Sequence, residues 1–284
     1  MQLIQWFVRF LGRLPPNVRR GVGATLGSFL QFLPTKTRAM THTNIQLAFP
    51  GLSRHAQNKL VNASLRELGW KSLELLSTWH RPLEQIRADI KAVECPDGVL
   101  DSHAEPTLIL LPHLGNWELF GVWLSSIRPY TAMFRPLRAP QFTDVVKGAR
   151  ERDGNTLVPT TPAGIKTLLH DLKAGKQAIV LPDQSPTDRG VFTSFFGIET
   201  ATTTLPYRLA LATKAQVVLG AAVWDAGGYR ILVRPLPRAD ELDQLAWLSH
   251  MNLEIERLVS DYPEQYQWEY RRFRKAPDGS LRYP

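Results

Sequence analysis

The sequence is poor in cysteine: Cys95 is the only one in 284 residues, so no intrachain disulfide can hold the fold. A lone thiol fits a reducing compartment without establishing one. Long apolar runs are also missing, since no stretch reaches the ~20 residues that cross a bilayer as a helix. No internal repeat and no low-complexity linker is present. His42, His55, His80, His103, His170 and His250 have no partners at metal-ligand spacing, which argues against a zinc site. The glycine pairs Gly21/Gly23 and Gly227/Gly228 do not make a phosphate loop. Acidic residues are the minority. The 26 Asp and Glu face 34 Lys and Arg, a net charge of +8 and a pI of about 9.7. That imbalance calls for a polyanionic partner: nucleic acid, an acidic membrane face or an acidic substrate. What is present is ordinary for a globular chain, with 44% hydrophobic and 21% charged residues. Global disorder is therefore excluded, and the length allows a substantial core in one domain or at most two.

The N-terminus narrows the partner. MQLIQWFVRFLGRL over residues 1–14 mixes apolar and aromatic residues with Arg9 and Arg13. After Pro15-Pro16 and Arg19-Arg20 comes GVGATLGSFLQFL over residues 21–33, without a charge. A secretory signal fits poorly, because the first charge falls inside the apolar run and no small-residue cleavage site follows. The pattern predicts a helical segment over 1–33 lying in a membrane interface. The competing expectation is a helix docked on the protein's own core. Residues 34–284 are then one α/β domain.

Within that domain strand-like and helix-like segments alternate. Residues 107–111 (TLILL), 177–181 (QAIVL) and 216–224 are strand candidates, and 229–233 pairs with the last as a hairpin after Gly227-Gly228. Helices are expected over 60–79, 116–126, 205–215 and 242–260, and from Thr161-Pro162, an N-cap followed by proline, to Gly175. Such alternation indicates an α/β fold with a mixed, mostly parallel sheet flanked by helices. The first 95 residues read as a helix-rich layer on that core.

The chemistry-bearing motif ends the first strand: Leu111-Pro-His-Leu-Gly-Asn-Trp-Glu118. Residues five apart in one regular helix differ by roughly 140° around the axis and do not face each other. His113 and Glu118 can meet only if His113 precedes the helix and Glu118 lies in its first turn. Pro112 and Gly115 favour that break. A carboxylate holding one imidazole nitrogen leaves the other free to take a proton from an alcohol. The amides at the helix start would support negative charge. Alone, an H-x4-E spacing is weak, and a structurally satisfied histidine is its ordinary explanation.

PHLGNWE resembles the H-x4-D/E box of the bacterial lipid A biosynthesis acyltransferases, the lauroyl and myristoyl transferases. Further matches follow in order along most of the chain: Asn44-Ile-Gln-Leu-Ala-Phe-Pro-Gly-Leu-Ser53, Phe134-Arg-Pro136, Pro182-Asp-Gln184 with Gly190 and Phe195-Phe-Gly197, Ala201-Thr-Thr-Thr204, and Pro263-Glu-Gln-Tyr-Gln-Trp268 with Arg271-Arg-Phe273. The resemblance implies an acyl–acyl carrier protein donor, no further cofactor, and a setting at the cytoplasmic face of the inner membrane. The acceptor it implies is a hydroxyl on a hydroxyacyl chain of a lipid A precursor.

On that reading His113 is the general base and Glu118 its partner. Arg135, Arg150 and Arg152 are candidates to hold the acceptor's phosphates or acidic sugars, each with a solvated surface charge as the plain alternative. Asp183 is expected in the same cleft, orienting an arginine or the histidine unless it only caps a loop. Gln184 stands where some relatives carry histidine, so no second histidine role transfers. Trp268, Tyr270 and Phe273 among Arg271, Arg272, Arg274 and Lys275 are read as an anionic-lipid or carrier-protein contact; nucleic acid is set aside, because the apolar N-terminus fits a membrane better. The alternatives are an acyltransferase for another lysophospholipid or glycolipid, and a non-catalytic membrane-associated lipid-binding protein.

Overall fold

The computed structural model describes residue 10 and residues 12–100, 105–135, 140–186 and 190–283. Its centre is a seven-stranded sheet in the order β1-β9-β8-β2-β5-β3-β4. The strands are β1 (Ile90–Glu94), β2 (Thr107–Leu110), β3 (Tyr130–Phe134), β4 (Thr156–Pro159), β5 (Gln177–Val180), β8 (Gln216–Asp225) and β9 (Gly228–Pro235). All neighbours run parallel except β8 and β9, a hairpin. A separate antiparallel pair, β6 (Gly190–Phe195) and β7 (Ile198–Thr203), stands outside this sheet.

The central strands TLIL and QAIV are buried at every residue, which explains their unbroken apolar sequence: a parallel sheet covered on both faces needs apolar side chains on both. Leu108 and Leu110 join a core with helices α7 (Pro162–Lys173), α8 (Leu205–Thr213) and α9 (Gln244–Asp261). Ile109 and Leu111 point the other way, into a core with α5 (Trp117–Ser125) and Trp70. The expected strands at 107, 177, 216 and 229 and the helices that follow them are all present, within a residue or two at their ends. The sequence pattern does not predict β1, β3, β4 or the β6–β7 pair, and β1 adds a sheet strand to the helix-rich first 95 residues. These segments mix polar and apolar residues, and β4 is a four-residue edge strand ending in proline, so no period marks them.

Among the elements whose residues are described, the helices before β2 are α1 (Pro16–Phe29), α2 (Lys36–Ala48), α3 (Arg54–His80) and α4 (Leu83–Arg87). α1 lies against α3 on a seam of glycines. A Cβ on Gly23 would stand 2.4 Å from the Trp70 Cα, and one on Gly27 would stand 2.3 Å from the Leu65 carbonyl oxygen. Any larger residue would push the helices apart. Arg19 is buried beside the seam, donating from Nε to Glu74 at 2.9 Å and from Nη2 to Asp89 at 2.9 Å. Arg20 pairs with Glu67 and lies over the Trp70 ring. About 100° around the helix from this seam, Val18, Val22, Leu26 and Phe29 are exposed, continued by Phe32 and Leu33. Thus one side of the segment docks on the protein and another shows apolar surface to the outside. Most of the apolar run over 1–14 falls outside the described residues. Among the described residues, no helix is long and apolar enough to cross a membrane.

Candidate active site

The sheet register builds the site. β2 and β5 are parallel neighbours with Leu110 opposite Val180. Each strand stops short of a proline, Pro112 or Pro182, and each carries its polar residue third after the paired position. Equal offsets from paired residues bring His113 and Asp183 together at the carboxyl end of the sheet, where open α/β sheets form their crevices. The His113 backbone N–H donates to Asp183 Oδ2 at 2.8 Å, and the ring Nδ1 meets Oδ1 at 2.8 Å. An ionised carboxylate only accepts, so Nδ1 carries the proton and Nε2 offers its lone pair. The Gln184 amide lies 3.2 Å from that Nε2 as the donor it can accept from. Burial pushes the Asp183 carboxyl up, but its electrostatic attraction to the His113 ring, the two hydrogen bonds from His113 and the Arg272 charge outweigh burial and hold the carboxyl below its usual range.

The turn carrying His113 is clamped by backbone. Gly115 has a φ of +61°, and a Cβ there would stand 2.1 Å from the Ala222 carbonyl oxygen, so only glycine fits. Its N–H donates to the Gln265 carbonyl at 3.1 Å, and the Gln267 N–H donates to the His113 carbonyl at 3.1 Å. Asn116 caps α5 by accepting from the Leu119 N–H at 3.1 Å and donates to the Tyr229 hydroxyl. The Trp117 ring stands edge-on to the imidazole, with centroids 5.1 Å apart. Behind it the buried Lys71 donates to the Gln265 carbonyl at 3.0 Å, and burial lowers its pKa.

Glu118 does lie in the first turn of α5, with His113 ahead of the helix. It does not hold the imidazole, however: both ring nitrogens are engaged elsewhere. Its carboxylate takes Arg150 instead, accepting from Nε at 3.1 and 3.0 Å and from Nη2. Arg150 ends helix α6 (Pro140–Arg150) and lies over the Phe134 ring at 5.5 Å. Burial lowers its pKa, and the Glu118 charge more than reverses that. The expected His113–Glu118 pair is therefore corrected to two pairs, His113–Asp183 and Glu118–Arg150. At the helix start, the side chain of Glu118 meets the neighbour that α6 brings, while β5 delivers Asp183 directly to the ring.

A model of the bacterial lipid A biosynthesis acyltransferases matches residues 2–275. The chain belongs to that family. It is 26% identical over 273 residues to the lipid A biosynthesis palmitoleoyltransferase of Escherichia coli K12, covering 94% of this chain and 88% of that protein. The lauroyltransferase of the same organism is 27% identical over 278 residues, covering 94% and 89%. Its myristoyltransferase is 27% identical over 261 residues, covering 89% and 80%. The protein is an acyltransferase.

The motifs behind the resemblance now acquire positions in this acyltransferase. Pro263–Trp268 wraps the His113 turn, and Leu114 bridges to Tyr266. Asn44 clamps that segment, donating to the Trp268 carbonyl at 2.6 Å and the Tyr270 carbonyl at 2.7 Å. Phe195–Gly197 and Ala201–Thr204 belong to the β6–β7 pair, where Asn252 of α9 donates to Thr193 at 2.7 Å. These are largely scaffold residues. Arg135 is exposed just beyond β3, at the same carboxyl end of the sheet as His113 and Asp183, and no ion pair engages it among the described residues. Arg152 is not available to a ligand in this way: it donates to the carbonyls of Thr78 at 2.9 Å and Arg81 at 2.6 Å, closing the end of α3. The sequence alone assigns Lys71 no role. Its signal is a buried polar row, Glu67, Lys71 and Glu74, at helical spacing within α3.

Proposed function

We propose that this acyltransferase moves a fatty acyl chain from an acyl–acyl carrier protein to a hydroxyl of a hydroxyacyl chain on a lipid A precursor, with His113 as general base. His113 Nε2 takes the proton of the acceptor hydroxyl once the substrate displaces the Gln184 amide. Asp183 holds Nδ1–H and stabilises the imidazolium. The acceptor oxygen attacks the thioester carbonyl, the carbon–sulfur bond breaks, and the thiol leaves with the proton from His113. Amides of the first turn of α5 meet the oxyanion. Arg135 meets acceptor anions at the carboxyl end of the sheet, and Arg150, fixed by Glu118, lines the flank. The observation that carries this reading is the His113–Asp183 pair with its Nε2 turned to the replaceable amide of Gln184, at the ends of two buried strands.

The setting in this reading is the cytoplasmic face of the inner membrane. The exposed apolar stripe from Val18 to Leu33 lies on the headgroup boundary, and the net positive charge favours anionic lipid. The test is acyl transfer by purified protein with acyl–acyl carrier protein and a lipid A precursor. Wild type should form the ester and His113→Ala should lose about 10²- to 10⁴-fold in turnover while remaining folded. A folded His113→Ala variant with near-normal transfer would refute the mechanism; absence of product from wild type would refute the substrates.

A further inference from the structure

A cleft adjoins the His113 corner, and the mechanism above does not use it. Its volume is about 390 Å³, and Ser185, Glu269, Tyr270, Arg271, Arg274 and Lys275 line it. The chain there alternates between anchors and free cations. Arg272 is buried, donating to the Ala201 carbonyl at 2.6 Å and to Thr202 at 3.2 Å, and Phe273 is buried beside it. Arg271, Arg274 and Lys275 are turned outward and exposed. No ion pair engages any of the three among the described residues, although Glu269 shares the cleft. Three cations around one concave volume, with Glu269 the one carboxylate among its described lining residues, make an anion site rather than a solvated face.

Its position is as informative as its charge. Ser185 forms one wall, its N–H donating to the Tyr270 hydroxyl at 3.2 Å and its hydroxyl to the Arg272 carbonyl at 2.8 Å. The preceding residue, Gln184, is the one in contact with His113 Nε2. A ligand anchored in this cleft therefore reaches the reacting nitrogen past one residue. We infer that the Arg271–Arg274–Lys275 cleft is a subsite for a phosphate monoester or diester carried by one of the two substrates. Guanidinium forks suit phosphate oxygens, and the ammonium of Lys275 adds a point charge. The inference rests on the acyl-transfer reading for the substrates' identity. Phosphate has two sources there, the sugar phosphate of the acceptor and the pantetheine phosphate of the carrier protein.

The test uses the full chain and the double variant Arg271→Gln/Arg274→Gln, both residues being exposed. The KM of the substrate whose phosphate occupies the cleft should rise about 10- to 100-fold, with kcat at saturation near wild type. If the acceptor supplies the phosphate, wild type should suffer a similar loss when given a dephosphorylated acceptor, and the double variant should not distinguish the two acceptors. If the donor supplies it, the donor KM should rise and the acceptor's phosphate should make the same difference to both proteins. Unchanged KM values for both substrates would overturn the subsite. Calorimetry separates this outcome from failure of the acyl-transfer reading. Wild type should bind phosphopantetheine or glucosamine 1-phosphate more tightly than its dephosphorylated form, and the double variant should lose that preference. Phosphate preference without acyl transfer would leave the subsite standing and the proposed reaction refuted; acyl transfer without any phosphate preference would do the reverse.

Discussion

The corner around His113 and the seat of α1 on α3 are held together by opposite means. At the corner every polar atom of the imidazole has a partner, and position comes from strand register and backbone clamps. On α1, position comes from close backbone contact at Gly23 and Gly27 beside the buried Arg19 ion pairs, and a stripe ending in Phe29 at 61% and Phe32 at 81% exposure stays uncovered among the described residues. The first arrangement orients a proton acceptor, which needs fixed angles. The second leaves apolar area in water, which costs roughly 25 cal/mol per Å² until something covers it. Satisfied polar groups thus fix the corner that can orient a proton, and exposed apolar surface marks the side of α1 that α3 leaves uncovered.

The strongest way to sharpen the contrast is Asp183→Asn. The amide should disturb the tautomer and orientation of His113 and lower turnover by about 10²- to 10³-fold, while partition onto anionic-lipid vesicles should be the same for variant and wild type. Stability should report the same residue. The folded carboxyl lies below its ordinary value of 3.8, so its contribution is fully present above that pH and is lost as pH falls through the folded value. Denaturant unfolding of wild type and variant should therefore differ at neutral pH and converge in acid. A constant gap across pH would show that Asp183 is not the stabilising acid.

Arg150→Ala should cost less in activity than Asp183→Asn but about 3 kcal/mol in unfolding free energy, because Glu118 is left buried without its counter-charge. Adding Glu118→Gln should recover a good part of that loss, a coupling that a double-mutant cycle measures directly. Equal activity losses for Arg150→Ala and Asp183→Asn would break the separation of the two carboxylate pairs and return Glu118 to the reacting centre. The smallest effect concerns the stripe. Phe29→Ser with Phe32→Ser should lower the vesicle partition coefficient roughly tenfold, about 1.4 kcal/mol. Unchanged partition would mean that another segment attaches the protein.

Much of the site was legible. Pro112 and Gly115 bracket His113 as a turn, Asn116 is a recognisable cap, and Glu118 falls in the first turn of the following helix as the spacing demands. Asp183 was legible as a residue at the end of a buried strand facing the same cleft, with an arginine or the histidine as its partner, but the choice between them was not. Nothing in the chain says that 107–110 and 177–180 are neighbours in register, and a slip of one residue would have turned Asp183 to the other face. Arg150 and Arg152 looked alike, two residues apart. The structure spends one on Glu118 and the other on the last carbonyls of α3, a distinction that depends on where α6 ends relative to α3 and α5.

The sequence by itself determined the local facts: which runs become buried strands, where the His113 turn must break, which helix starts there, and that the chain carries a surplus of positive charge. These follow from side-chain period, proline and glycine stereochemistry and composition, all of which act over a few residues. Only the tertiary structure decided who partners whom. His113 takes Asp183 from 70 residues away, Glu118 takes Arg150 from 32, and α1 presents its stripe outward because glycines let its other side approach α3. Hydrogen bonds and ion pairs are short-ranged, so their partners are set by the register and packing of elements distant in the chain.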